Sequence, residues 1–402
     1  MPLSDAELAA RHAPQLMLDR QEPYRPLAFG YSVFRAAGQS PSSAFFIEPG
    51  AATVIEYAIY YDWDIGHLYD LEHVWVHVGE DGAVTKVEAS AHGGRNLMDA
   101  GGGGAEMLGP RPVVYVEAGK HAHWAAPEQM DRMARWMLKM ACGPLAGIDG
   151  VLVSTPLGEA GAYTASPRDH RLARLKMQAE AFEPAYAYEA LATLPRLMPW
   201  PELAALIPQR IRAELAGLEE SMPHFSAIFL DCGDTLIDEG TEVKDGDVVL
   251  SGALVPGARE MVLALKAAGH RLILVADGPR QSFLNLLPQH GLWEHFDAHI
   301  ISGDVGAEKP DARMFDAALA AVGLTRADAW RTVMVGNNLS RDISGANALG
   351  VASIFMAWSG RRSHVPANAG EVPDYRIATP MELPGLLAQL EPLLRYHPLS
   401  GA

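Results

Sequence analysis

The carboxy-terminal half of this chain alternates short apolar runs with amphipathic helical segments. The runs AIFL at 227–230, LILV at 272–275 and VMV at 333–335 have the composition of strands that are buried on both faces. The segments between them carry apolar residues at three- and four-residue spacing, which is typical of helices. This order predicts a parallel sheet covered by helices on both sides. We therefore predict an α/β, Rossmann-like domain over residues 224–402.

The amino-terminal half has a different pattern. Residues 51–60, 72–78, 83–90 and 112–117 alternate apolar and polar side chains as strands with one buried face do. We predict an antiparallel β domain over residues 1–160. Helical spacing then returns over residues 161–223, interrupted by prolines, and predicts a helical connector.

Composition excludes several classes of partner. The chain has 32 Lys and Arg against 49 Asp and Glu, a net charge of −17, which disfavours nucleic acids and anionic membranes. No apolar run is long enough for a membrane span, and the first residues do not resemble a signal peptide. With only two cysteines in 402 residues, we expect a cytoplasmic protein. The sequence leaves a homo-oligomer open.

Polar residues follow the predicted strands of the second half. Asp231, Asp277 and Asn337 come directly after apolar runs, Asp342 follows shortly, and Lys309 precedes a predicted helix. In open parallel sheets ligands bind at the carboxyl ends of the strands. Carboxylates together with a lysine suit Mg²⁺ and a phosphoryl group. The predicted partner is therefore a phosphorylated small molecule.

Residues 225–358 resemble the haloacid dehalogenase superfamily, mostly Mg²⁺-dependent phosphatases. The matching motifs are Asp231-Cys232-Gly233-Asp234-Thr235, Glu308-Lys309-Pro310, and the segment from Gly336 to Ala346. The resemblance implies that Asp231 is the nucleophile and that Lys309 neutralises it. It also implies a metal site and a phosphate site. The implied metal groups are Asp231, Gly233, Asn337 and Asp342, and the implied phosphate groups are Thr235, Asp277 and Gly278.

The chain departs from this family where a general acid is expected. Gly233 occupies the position of the second aspartate, and Asp234 lies one residue later. Either Asp234 supplies the proton from a rearranged loop, or the acid step is weakened by about 10² to 10⁴. Three functions stay open: a phosphatase for esters with good leaving groups, such as acyl phosphates; a protein that only binds a phosphate, glycan or lipid headgroup; and a dehalogenase-type hydrolase.

The segments on either side of the second strand leave no room for a large cap. Residues 237–255 can form only a β flap, so the site is expected to be open. The amino-terminal domain or a second subunit is the candidate to cover it.

A second polar cluster lies in the amino-terminal half. Imidazole and carboxylate groups there could bind a second divalent metal, and they are Asp64, His67, Asp70, Glu72, His92 and His121. The alternative is a polar turn with solvated charges. The pattern Gly-His-x-x-Asp-x-Glu at 66–72, followed by Ser-Ala-His-Gly-Gly at 90–94, resembles the necrosis-inducing cytolysin-like and vacuolar-sorting-related proteins. That resemblance implies a β-sandwich with a metal pocket.

Overall fold

The computed structural model describes residues 3–130 and 132–397. The chain divides into two compact units, Met1–Met222 and Pro223–Ala402. Each unit has its own hydrophobic core. Among the helices of the described residues, none combines the length and the apolar character that a membrane crossing requires.

The first unit is built mainly from two sheets. One has the order β11-β10-β1-β13, with β9 paired to β10, and the other has the order β14-β2-β5-β6-β7-β8, with β12 paired to β6. The strands are β1 (Gln15–Asp19), β2 (Ala28–Phe34), β3 (Gly38–Gln39), β4 (Phe46–Ile47), β5 (Thr53–Trp63), β6 (His67–Val78), β7 (Val84–Ala91), β8 (Gly94–Leu97), β9 (Met107–Leu108), β10 (Arg111–Val116), β11 (His123–Trp124), β12 (Gly150–Val151), β13 (Tyr188–Ala190) and β14 (Arg196–Pro199).

The two sheets share a core. Ile55, Tyr57 and Ile59 alternate along β5 and pack in one cluster with Leu16 of β1 and Val114 of β10. Successive side chains of a strand point to opposite faces, so Ala58 and Tyr60 of the same strand belong to a second cluster. The unit is therefore a two-sheet β structure whose larger sheet is buried on both faces.

Helices cover that second face. Those of the first unit are α1 (Asp5–His12), α2 (Arg132–Cys142), α3 (Pro156–Glu159), α4 (Pro167–Ala179) and α5 (Trp200–Ser221). Leu172 of α4 and Leu203 and Ile207 of α5 are fully buried in the same cluster as Tyr60. Most of the segment expected as a connector, residues 161–223, is thus part of the first unit's core.

The predicted antiparallel pairing is found for β2, β5, β6, β7 and β8 but not for every pair of the first unit. β1 pairs with β10, β12 with β6 and β14 with β2, and all three pairs are parallel. Parallel neighbours need a long crossover connection. Helices α2 and α4 and the long segment between β1 and β10 provide these crossover connections. Both sheets therefore contain parallel as well as antiparallel pairs.

The second unit contains the predicted parallel sheet, in the order β19-β18-β15-β20-β21-β22. Its strands are β15 (Ala227–Leu230), β18 (Leu272–Ala276), β19 (Ala298–Ile301), β20 (Thr332–Gly336), β21 (Ala352–Met356) and β22 (Tyr375–Ile377), and a hairpin is formed by β16 (Val243–Asp245) and β17 (Val248–Ser251). The helices are α6 (Ala258–Ala267), α7 (Arg280–Gln289), α8 (Ser302–Val305), α9 (Ala312–Ala321), α10 (Ser344–Leu349) and α11 (Glu382–Leu390).

The first strand of this sheet explains the apolar run at 227–230. Ile228 and Leu230 of β15 belong to the core on one face, and Ala227 and Phe229 belong to the core on the other. Every position of a strand covered on both faces must be apolar. Between β15 and α6 the chain forms a short 3-10 helical turn (Glu239–Thr241) and the β16–β17 hairpin, as expected for a domain without a large cap.

Candidate active site

One polar cavity lies at the carboxyl ends of three strands. β15 lies between β18 and β20, so strands that follow it along the chain pair with it on both of its edges. Such a switch point is where open α/β sheets bind ligands. Asp231, Asp277 and Asn337, which directly follow these three strands, all line the cavity, whose volume is ≈ 270 Å³.

Three of the predicted residues meet in this cavity. The Lys309 ammonium lies 2.7 Å from Asp231 Oδ1 and 2.7 Å from Asp342 Oδ1. It also donates a 2.8 Å hydrogen bond to the carbonyl of Val275. Lys309 is only 3% exposed. The lysine therefore holds both carboxylates at a fixed place beside the end of β15.

The charges of this group depend on one another. Burial alone would lower the pKa of Lys309, but the neighbouring carboxylates, Asp231 foremost, raise it above its ordinary value. The pKa of Asp342 is raised to about 7 by burial and by the charge of Asp231, although Lys309 opposes both. The single positive charge of Lys309 therefore compensates the negative charges of Asp231 and Asp342 only incompletely.

The residues of the cavity fit a divalent cation. Asp342 Oδ1 is buried and accepts no hydrogen bond of good geometry from the described residues. The lining carries six carboxylates against four cationic groups, a net charge of −2. The carboxylates are Asp231, Glu239, Glu242, Asp247, Asp277 and Asp342, and the cations are Lys244, Lys309, Arg341 and Arg362. Carboxylate oxygens are the donors that Mg²⁺ prefers.

Side chains alone do not complete such a site. Within residues 3–130 and 132–397, no three His, Cys, Asp or Glu side chains form a group that could hold a metal ion. A cation at Asp231 and Asp342 would therefore need carbonyl or water oxygens as well. Gly233 and Asn337 both line the cavity, as the resemblance implied for the metal site.

Backbone geometry after β20 positions Asp342. The amide of Asn338 donates a 2.9 Å hydrogen bond to Asp342 Oδ2, and residues Leu339–Ile343 form a π-helical turn. A Cβ atom at Gly336 would lie 2.3 Å from Asp342 Oδ2. Only glycine at position 336 leaves room for this carboxylate.

Some of the protein groups that were predicted to bind phosphate already have partners within the protein. Asp277 Oδ1 accepts a 3.0 Å hydrogen bond from the Lys309 amide, and Asp277 Oδ2 pairs with Arg341 at 3.1 Å. The amide of Gly278 donates to Ser302 Oγ at 2.8 Å. Asp277 and Gly278 line the cavity, but this amide already has a partner.

Asp234 is not among the residues that line the cavity, which does not favour its predicted role as the proton donor. Its φ angle is 48°, a left-handed conformation. Asp234 Oδ1 accepts hydrogen bonds from Arg361 at 2.8 Å and from the Glu239 amide at 3.0 Å. Thr235 is fully buried, and neither residue lines the cavity. The phosphate contact of Thr235 stays a prediction.

The sequence analysis missed several charged lining residues, among them Glu239 and Arg362. Arg362 binds both carboxylate oxygens of Glu239, at 3.0 and 2.8 Å. A Cβ atom at Gly233 would lie only 2.1 Å from Glu239 Oε1. No sequence motif includes Glu239, and Arg362 lies beyond the last predicted strand. The only signal in the sequence was the glycine at position 233, where the family motif has an acid.

The six residues predicted to bind a metal in the first unit divide into three groups. Asp64 forms an ion pair with Lys120, and His67 Nε2 lies 3.6 Å from Asp64 Oδ2. Asp70 Oδ2 lies 2.9 Å from His121 Nδ1. The other two predicted residues are bound elsewhere: Glu72 accepts a hydrogen bond from Ser90, and His92 pairs with Glu117 at 2.9 Å.

This arrangement does not support a second metal. An ammonium group already compensates Asp64, and His121 compensates Asp70. Burial and the charge of Asp70 raise the pKa of Glu72 to about 8, which favours its neutral form at neutral pH. Asp64, Asp70 and His121 are instead buried in ion pairs, Asp64 with Lys120 and Asp70 with His121. The alternative, a polar turn with solvated charges, does not describe these three residues either.

Comparison with known proteins gives relatives for the carboxy-terminal part. The glyceraldehyde 3-phosphate phosphatase of Methanothermobacter thermautotrophicus is 32% identical over 120 residues, which are 29% of this chain and 52% of that protein. The phosphoserine phosphatase of Thermus thermophilus is 33% identical over 124 residues, 31% of this chain and 47% of that protein. This chain thus spans about half the length of these curated relatives.

A solved structure, the HAD phosphatase from Thermococcus onnurineus, is 30% identical. The match covers 33% of this chain and 58% of that chain, with a TM-score of 0.29.

A family model described as a haloacid dehalogenase-like hydrolase matches residues 148–350. The match begins in the first unit and includes β15, β18, β19 and β20 of the second. Residues 1–147 lie outside it, so the resemblance of the first unit to cytolysin-like sandwiches stays a prediction. Because the match extends over half of the sequence and includes Asp231, Lys309 and Asp342, the chain belongs to the haloacid dehalogenase-like hydrolase family.

Proposed function

We propose that the second unit hydrolyses phosphate monoesters of small polar molecules through an aspartyl-phosphate at Asp231. The observation that carries the proposal is the contact of one buried lysine with Asp231 and Asp342 at the switch point of the sheet. The two phosphatases similar to this chain act on small phosphorylated molecules, as their names state. A polar cavity of ≈ 270 Å³ suits a substrate of that size.

The reaction takes place in two displacements. A carboxylate oxygen of Asp231 attacks phosphorus, the bond from phosphorus to the ester oxygen breaks, and the alcohol leaves. Water then attacks the aspartyl-phosphate, inorganic phosphate leaves, and the Asp231 carboxylate is restored. Lys309 stabilises the negative charge on the phosphoryl oxygens and holds Asp231 in place through both steps.

Asp231, Asp342 and the carbonyl of Gly233 are the groups that would hold Mg²⁺. When bound, the ion supplies positive charge that stabilises the phosphoryl oxygens. The chain prepares the site by burying Asp342 beside Asp231, which leaves two carboxylates with a single lysine between them.

A panel of phosphate esters tests the proposal. The panel contains para-nitrophenyl phosphate, acetyl phosphate, glyceraldehyde 3-phosphate and phosphoserine, each with Mg²⁺ and with EDTA. We expect Mg²⁺-dependent release of phosphate, abolished by Asp231→Asn and unaffected by Asp316→Asn, an exposed aspartate paired with Arg326. Asn keeps the size of the side chain but is a far weaker nucleophile.

Two outcomes would favour the alternatives. Binding of phosphate without turnover of any ester would indicate a protein that only binds its ligand. Release of halide from a 2-haloacid, lost in Asp231→Asn, would indicate a dehalogenase, which also proceeds through an ester at an aspartate.

A further inference from the structure

The first unit contains a cavity that the proposed hydrolysis does not use. Its volume is ≈ 420 Å³, and Trp124 of β11 contributes to its lining. Another wall is a face of α2 that carries apolar side chains at helical spacing, and these are Met133, Ala134, Met137, Leu138 and Ala141. Apolar walls around a small number of fixed polar groups are typical of sites that bind small molecules.

Glu117 is a buried acid in the lining of this cavity. It directly follows β10 and is only 1% exposed. The Trp124 indole donates a 3.2 Å hydrogen bond to Glu117 Oε1 and thereby orients the carboxylate. Glu117 Oε2 is buried and accepts no hydrogen bond of good geometry from the described residues. Because such an oxygen is costly to bury, its place beside a cavity indicates a ligand that satisfies it.

The other titratable groups of the lining do not satisfy Glu117. Lys120 forms an ion pair with Asp64, so its charge is already compensated. His92 Nε2 lies 2.9 Å from Glu117 Oε2, but in a direction that makes no hydrogen bond of good geometry. The His92 side chain is 52% exposed, so a ligand can move the ring aside at little cost. The negative charge of Glu117 therefore remains available to a ligand in the cavity.

We infer that this cavity binds a small molecule with an apolar body and an ammonium group, and that the ammonium donates a hydrogen bond to Glu117 Oε2. The apolar body contacts the face of α2, where the thioethers of Met133 and Met137 suit an aromatic ring. Charge-assisted hydrogen bonds of this kind are stronger than neutral ones. The site gives the first unit a binding function that is separate from hydrolysis at Asp231.

Three probes of similar shape test the inference in the full-length protein, by isothermal titration calorimetry at neutral pH. They are the cation of 2-phenylethylamine, the neutral 2-phenylethanol and the anion 3-phenylpropanoate. We expect the amine to bind about tenfold to hundredfold more tightly than the alcohol, because its hydrogen bond to Glu117 joins two charged groups. The anion should bind most weakly, because Glu117 repels it.

Glu117→Gln keeps the acceptor for the Trp124 indole and removes the charge. We expect this variant to bind the amine about tenfold to hundredfold more weakly than the wild type, and the alcohol with unchanged affinity. The matched control is Glu128→Gln, which removes the same charge from an exposed position outside the lining and should behave as the wild type. His92→Ala should bind the amine at least as tightly as the wild type, because the competing ring is gone.

A variant in the apolar wall guards against a folding defect at position 117. Met137 is 50% exposed, so Met137→Ala should leave the fold intact. It should weaken the binding of amine and alcohol alike by about threefold to tenfold, because both lose apolar contact. Its control is Met381→Ala, at an equally exposed methionine of the second unit.

Four results would overturn the inference. They are a wild type that binds the amine no more tightly than the anion, unchanged amine affinity in Glu117→Gln, loss of amine binding in His92→Ala, and unchanged affinities in Met137→Ala. If Glu117→Gln does not fold, the order of the three probes in the wild type and the result for Met137→Ala decide. Hydrolysis of phosphate esters is not expected to change in any of these variants.

Discussion

At the scale of single residues, two neighbouring positions in the loop after β15, Gly233 and Asp234, differ from the expected arrangement. Gly233 has no side chain, and the space beside it holds the carboxylate of Glu239. Asp234, one residue later, adopts a left-handed conformation and pairs with Arg361 outside the cavity. Non-glycine residues in that conformation are uncommon, although Asp tolerates it better than most. We conclude that Asp234 stabilises the loop and that Glu239 lines the cavity.

Asp234→Asn tests this assignment. We expect the free energy of unfolding to fall by about 1 to 3 kcal/mol, because a buried charge that pairs with Arg361 is lost. Turnover per folded molecule should stay close to that of the wild type, because Asn still offers an acceptor to the Glu239 amide. Urea unfolding and the rate of para-nitrophenyl phosphate hydrolysis measure the two quantities. A large loss of turnover per folded molecule would contradict the assignment.

At the scale of elements, β6 places acids inside the sandwich. Asp70 and Glu72 stand two positions apart on the strand and therefore point to the same face. His121, from the turn before β11, binds Asp70, and its ring stacks on Tyr61 with centroids 3.7 Å apart. Loss of solvent contact and then repulsion by Asp70 raise the pKa of Glu72 to about 8. The strand thus carries a titratable group at a half-buried position.

Glu72 predicts a pH dependence of stability. Its pKa is raised on folding from about 4.5 to about 8, so the unfolding free energy it contributes is present at low pH and is lost as pH rises through this window. The loss is about 1.4 kcal/mol per pH unit. His121, whose pKa is raised to about 10, adds a loss in the same direction above about pH 6.5. Glu72→Gln should remove the first contribution and flatten the profile between pH 5 and pH 8.

Calorimetry of the full chain from pH 5 to pH 8 measures this profile, with and without added divalent metal. A parallel pH profile in Glu72→Gln and wild type would contradict the shift of Glu72. Metal-dependent stabilisation of the wild type that is absent in the variant would restore the predicted second metal site.

At the scale of the whole molecule, the site belongs to one unit. Asp231, Glu239, Lys309, Asp342 and Arg362 all lie in Pro223–Ala402, which has its own core on both faces of its sheet. The first unit has separate cores of its own. All five of these residues therefore come from the second unit.

A fragment of residues 223–402 tests this division. We expect it to fold and to hydrolyse para-nitrophenyl phosphate with a kcat near that of the full chain, because every group of the proposed reaction is present. The same fragment with Asp231→Asn is the control. A folded fragment without activity would indicate that the first unit contributes to catalysis, whereas a changed KM alone would indicate a role in substrate access.

The sequence by itself determined the α/β order of the second unit and the position of Asp231, Lys309 and Asp342. Buried parallel strands need unbroken apolar runs, Asp231 follows one such run directly, and Lys309 and Asp342 lie in short family motifs, so all of these are local signals. The parallel pairs of the first unit, the packing of α4 and α5, the left-handed conformation of Asp234 and the entry of Glu239 and Arg362 were decided only by tertiary structure. Each of these features depends on which segments, distant from one another along the chain, pack together. The spacing of residues within a short segment contains no information about that packing.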